Sequence, residues 1–110
     1  MKINNLLQIA DLDINKEIFE TLLEEKEFTV ERIISPFMPE GDAKWWNPKD
    51  SELVFLLQGK AILEFENKDF RKLSNGDYLF ISKGMNHRVA FTSENPLAIW
   101  LAIHFKDNSK

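Results

Sequence analysis

Asn47, Glu52, His87 and His104 are the polar side chains best placed to do chemistry, because each falls at or near the end of an apolar run. A carboxylate beside an imidazole can move protons, and the same pair can ligate a divalent metal. Glu52 leads into Leu53-Val54-Phe55-Leu56-Leu57 and, by strand alternation, shares a face with Val54 and Leu56. Most glutamates at strand ends are simply solvated. An apolar face argues instead for a carboxylate aimed into a pocket. His87 follows the loop Lys83-Gly84-Met85-Asn86, and His104 shares a face with Trp100 and Ala102. A histidine in the second setting usually has a structural role, its nitrogens satisfied by backbone or carboxylate. Trp45, Trp46 and Tyr78 could supply an aromatic floor beside these groups. Adjacent residues on a strand face opposite ways, so one tryptophan can line a pocket while the other packs outside.

Other chemistries are poorly served. The chain has no cysteine, which removes thiolate nucleophiles, zinc–thiolate sites and disulfides. Ser51 and Ser82 flank the loops of interest, but no G-x-S-x-G elbow and no Gly-rich phosphate cradle is present.

Short strands must position these groups. Phe28 to Ser35, Leu53 to Gln58, Lys60 to Glu66, Phe70 to Leu73, Tyr78 to Ser82, His87 to Ser93 and Leu97 to Phe105 alternate or run apolar. Gly59, Asn67-Lys68-Asp69, Ser74-Asn75-Gly76-Asp77 and Glu94-Asn95-Pro96 supply turns between them. From Asp13 to Lys26, Ile14, Ile18, Phe19, Leu22 and Leu23 recur at spacings of three and four, which predicts one short amphipathic helix capped by Asp13 or Asn15. Asp107 to Lys110 reads as a fraying tail. The pattern is that of an all-β sandwich or barrel with one N-terminal helix.

At 110 residues the chain is expected to form a single domain, with residues 1–27 as an extension carrying the helix. Its formal charge is −4 and its 14 basic residues are scattered, so nucleic acid is not an expected partner. The N-terminal apolar stretch is broken by Asn4, Asn5, Gln8 and Asp11, leaving neither a signal peptide nor a membrane span, and a cytoplasmic protein is expected.

Residues 40–105 resemble the two motifs of the cupin superfamily. Glu52, six residues and Gly59 match the end of the first motif. Gly76, Gly84 and His87 match the second in register, with Ser82 where a proline usually stands. The resemblance implies a cupin-type jelly-roll β-barrel with no settled activity. In metal-binding cupins two histidines stand seven and five positions before the glutamate. Here Trp45 and Asn47 occupy those positions, so the resemblance carries over Glu52 and His87 alone as metal ligands. An indole does not coordinate usefully, and a neutral amide oxygen suits hard cations better than iron or zinc.

The sequence therefore predicts a binding module. Trp45, Asn47, Glu52, Tyr78 and His87 would hold a small polar or aromatic metabolite at the barrel mouth without a tight metal. No cofactor is expected. The alternative is a metal-dependent oxygenase or isomerase whose divalent metal is held by Glu52 and His87 with Asn47 or His104. Leu53, Phe55 and Leu57 present an apolar outer face, for which a homodimer is the expected cover.

Overall fold

The computed structural model describes residues 1–10 and 14–106. Among these it contains eight strands: β1 (Ile18–Glu24), β2 (Phe28–Ile34), β3 (Ser51–Gln58), β4 (Ala61–Phe65), β5 (Asp69–Leu73), β6 (Tyr78–Ile81), β7 (His87–Thr92) and β8 (Ile99–Phe105). A five-stranded sheet has the order β1-β2-β8-β3-β6, and a three-stranded sheet has the order β5-β4-β7. Every pairing within them is antiparallel.

The expected helix is not there. The only helical turn among the described residues is the 3-10 turn Glu66–Lys68, and the N-terminal segment forms β1 instead. The reason lies in the periodicity. Ile14, Ile18 and Leu22 are spaced by four, which is one helical turn but also two strand repeats, so the stripe fits either structure. Pairing with β2 decides it: Phe19 lies opposite Ile33 and Glu20 opposite Arg32. Those long-range hydrogen bonds outweigh the helix preference of the segment's glutamates. A register shift between Thr21 and Leu23 then bends the strand. Asn15 caps no helix; Asp13 and the tail from Asp107 to Lys110 lie outside the described residues.

The other expected strands form, with ends moved by up to two residues. In place of a closed barrel, the described strands make two facing sheets whose hydrogen bonding does not run continuously around them. No helix among the described residues is long and apolar enough to cross a membrane.

The core fills one end of the space between the sheets. Val54, Leu56, Ala61, Leu63, Phe65, Leu73, Ile81, Ala98 and Trp100 pack there in one cluster. Following β3 backward from fully buried Leu56 through Val54 to Glu52 leads out of this core and into a cavity at the other end. Along β8 the same passage runs from Trp100 through Ala102 to His104.

Residues 38–46 form a strap along the free side of β7. Met38 pairs with Thr92, the Asp42 amide donates to the Val89 carbonyl at 2.8 Å, and Trp46 exchanges hydrogen bonds with His87 at 2.7 and 3.0 Å. Gly41 lets the strap lie this close. Its φ is +73°, and any Cβ there would collide with the Val89 carbonyl oxygen.

Candidate functional site

The cavity has a volume of about 390 Å³, a size suited to a small molecule. β2 contributes Glu31 and Ile33, β3 contributes Glu52 and Val54, and β8 contributes Trp100, Ala102 and His104. β7 adds His87 and Val89, the strap adds Trp46, and Glu17 with Phe19 closes the N-terminal side. Alternation accounts for the choice on each strand, because residues two apart share a face.

A chain of polar groups crosses the cavity. His104 Nε2 donates to Glu31 Oε1 at 2.9 Å, and His104 Nδ1 lies 3.1 Å from Glu52 Oε2. Both ring nitrogens therefore face carboxylates, which favours the doubly protonated ring. The hydrogen bond to Glu31 and then that to Glu52 push the His104 pKa up from 6.5 to about 10, against the opposing effect of burial. The other Glu52 oxygen lies 3.5 Å from His87 Nε2, too far for a strong hydrogen bond. His87 Nδ1 donates to the Met85 carbonyl at 3.0 Å. In the neutral ring that bond places the lone pair on Nε2, facing Glu52. Glu52 and His87 are both buried, at 8% and 9% exposure, and His87 stacks at a tilt on Phe65 with centroids 5.7 Å apart.

A second relay enters from the N-terminal side. Trp100 Nε1 donates to Ser35 Oγ at 3.1 Å, and Ser35 Oγ donates to Glu17 Oε2 at 2.8 Å. Burial raises the Glu17 pKa, the Ser35 hydrogen bond works against that rise, and the nearby Asp42 charge adds to it.

The residues expected from the sequence are thus partly brought together. Glu52, His87 and His104 meet in the cavity, and Asn47 sits at its rim, donating from Nδ2 to Asn86 Oδ1 at 2.6 Å. Trp45 and Tyr78 do not line it. Trp45 points away along the strap, with the Arg88 guanidinium 6.0 Å above its ring. Tyr78 is 65% exposed on the outer face of β6, beside Phe55. Trp46 takes the lining position, its ring edge-to-face with Phe19 at 6.3 Å.

Glu17, Glu31 and Trp100 line the cavity without having been singled out as candidates. Glu31 had a signal, since it shares a strand face with Ile33. Glu17 had none, because it lay on the polar side of the segment that reads as a helix.

The donor set fits a tight transition metal poorly. Among the described residues no group of three or more His, Cys, Asp or Glu side chains converges on one point. His104 has both nitrogens committed to carboxylates, and one Glu52 oxygen is committed to His104. His87 Nε2 and the second Glu52 oxygen remain as the nearest pair of donors.

Comparison with known proteins places these features in a family. The cupin domain profile matches residues 36–104. A Ralstonia eutropha JMP134 protein provisionally assigned as a mannose-6-phosphate isomerase is 32% identical, with 97% of this chain and 100% of that one covered, at a TM-score of 0.86. An RmlC-like cupin protein from Desulfovibrio desulfuricans shares the fold at 17% identity and a TM-score of 0.75, covering 96% of this chain and 97% of that one. The iron(II) form of HppE shares it at 16% identity and a TM-score of 0.70; 82% of this chain aligns with only 50% of that protein. No curated protein matches the chain significantly.

Proposed function

The chain belongs to the cupin domain family, and from that premise we propose that its cavity binds a small polar metabolite without a tightly held transition metal. One observation carries this reading: the His104 ring is clamped between Glu31 and Glu52, so an imidazole that could have ligated a metal is spent on holding carboxylates. The clamp leaves one Glu52 oxygen and His87 Nε2 facing each other across 3.5 Å, two acceptors that a ligand amine can bridge by donating to both. Trp46, Trp100 and Phe19 supply the apolar walls that orient such a molecule. A panel of metabolites screened by thermal shift and by tryptophan fluorescence tests the idea. A binder should raise the melting temperature, and Glu52→Gln should weaken it by about tenfold, the cost of one charge-assisted hydrogen bond. Failure of every compound to bind would remove the reading.

A second reading, a metal-dependent isomerase or oxygenase, rests on one detail. His87 has its Nδ1 fixed by a backbone carbonyl and its Nε2 free toward the cavity, which is how metal-ligating histidines are usually held. Glu52 and His87, joined by Asn47, would be the ligands. The substrate of the Ralstonia relative transfers poorly. A phosphorylated sugar brings about two negative charges into a cavity lined by four carboxyl groups, with Lys49 and His104 as the cations.

We further propose that a second copy of the chain covers the outer face of the five-stranded sheet. Half-buried Leu53, Phe55 and Leu57 on β3 lie beside Leu101 and Ile103 on β8 and exposed Phe80 on β6, making one continuous apolar surface.

A further inference from the structure

We propose that the ligand of this cavity is a small organic cation, an amine or quaternary ammonium compound, bound with its charge between Glu17 and the aromatic pair Phe19–Trp46. This rests on the cavity being a ligand site at all and adds the ligand's charge. Three independent features of the lining agree.

The first is the balance of charge. Glu17, Glu31, Asp50 and Glu52 line the cavity, against Lys49 and His104. His104 is already enclosed by Glu31 and Glu52, so its charge is neutralised within the wall. Among the described residues Glu17 has no such cation: its hydrogen bond comes from the neutral Ser35 hydroxyl. A carboxylate held in a half-buried wall without a counter-charge gains most from a ligand that brings one.

The second is the kind of apolar wall. Phe19 and Trp46 meet edge to face, with ring planes at 75°, so a neighbouring group meets a π-face of one and an edge of the other. One face of Trp46 already holds a cation, the Lys44 ammonium 4.0 Å from its ring centroid, which leaves the Phe19 ring and the opposite indole face for the ligand. Glu17 and Phe19 share one strand parity and both reach the cavity, so carboxylate and aromatic ring are presented side by side.

The third is how Glu17 is aimed. Trp100 donates to Ser35, and Ser35 donates to Glu17 Oε2, a relay anchored on two buried residues. With Oε2 so fixed, Oε1 is the oxygen left for a ligand. Residues 17–19 lie outside the 36–104 region that matches the cupin profile, whereas Trp46 lies within it, so the wall joins the N-terminal strand to the profile-matched part of the chain.

The test uses choline, its neutral carbon isostere 3,3-dimethylbutan-1-ol, the anion 3,3-dimethylbutanoate and neutral glycerol. Binding is followed through the indole N–H resonances of Trp46 and Trp100. Choline should bind at least about tenfold more tightly than its isostere, the size of one favourable cation–π contact with a carboxylate beside it. Glu17→Gln should abolish that preference while leaving the isostere's affinity unchanged. Phe19→Leu should reduce the preference without removing it, and it guards against a folding defect confined to the first variant. Equal or tighter binding of the isostere or the anion overturns the proposal. If glycerol or the isostere moves the indole resonances and choline does not, the cavity is a ligand site and the cation assignment is wrong. If no probe moves them, both readings fall.

Discussion

The five-stranded sheet is apolar on both faces, and its inner face adds ionisable groups to the buried Val54, Leu56, Ile81 and Trp100. Its inner face carries Glu31, Glu52 and His104, while its outer face carries Leu53, Phe55, Leu101, Ile103 and Phe80. The three-stranded sheet is ordinary by comparison. Ala61, Leu63 and Phe65 are buried inside, and Glu64 pairs with Arg88 on the outside at 2.7 Å. Hydrophobic burial holds Val54, Leu56 and Trp100 inward but disfavours the ionisable groups beside them, so something else must stabilise those inward charges. Mutual pairing does part of that: each buried carboxylate of the group meets an imidazole. Ionisable groups held inward at such a cost are also where function concentrates.

The largest test is to remove the group that reconciles the inner face. His104→Leu leaves Glu31 and Glu52 facing each other with no cation between them, and should cost about 3 kcal/mol in urea unfolding. The pH dependence gives an independent check. The folded-state pKa of His104 is raised from 6.5 to about 10, so its contribution is fully present below pH 6.5 and is lost as pH rises through 10. The stability gap between wild type and variant should therefore narrow across that interval. A constant gap would mean that the charge on His104 is not what holds the carboxylates inward.

A smaller effect is expected from adding an imidazole. Asn47→His places a ring at the rim, near the open pair His87 and Glu52. Metal analysis of untagged protein after exposure to iron, manganese, nickel and zinc should show the variant binding at least about tenfold more tightly than wild type, as expected when a missing ligand is supplied. Equal stoichiometric metal in both would favour the metal-dependent reading and break the view that the inner charges serve one another.

The smallest effect on folding belongs to the outer face. Phe80, 57% exposed, can become serine at a cost of about 0.5 kcal/mol or less in the isolated chain. The mass by light scattering at micromolar concentration should nonetheless fall from dimer to monomer. A wild-type monomer would leave that apolar surface without its proposed partner.

The sequence made the strands legible because turn residues punctuate them and alternation marks their faces. It misled at β1, where a spacing of four residues satisfies both a helix and a strand and only pairing with β2 distinguishes them. Glu52 and His87 were legible as cavity-lining residues because both fall at motif spacing. The link from Glu52 through His104 to Glu31 was not, since it depends on β2, β8 and β3 lying side by side. Between Trp45 and Trp46 the sequence offers no means of choosing. The choice is made by the Trp46 backbone bonding to His87, which turns that indole inward.

That backbone bonding makes the two walls of the cavity mechanically unequal. Trp46 and His87 exchange two hydrogen bonds, and β7 is bonded to β4 on its other side, so this wall is braced from both directions. Phe19 stands on β1, an edge strand bonded to β2 alone, and Glu17 lies just before that strand begins. Backbone held on one side yields at lower free energy than backbone held on both. The cavity is thus a vice with one fixed jaw and one compliant jaw: a change in its width falls on the Glu17 side, while the imidazole keeps its place.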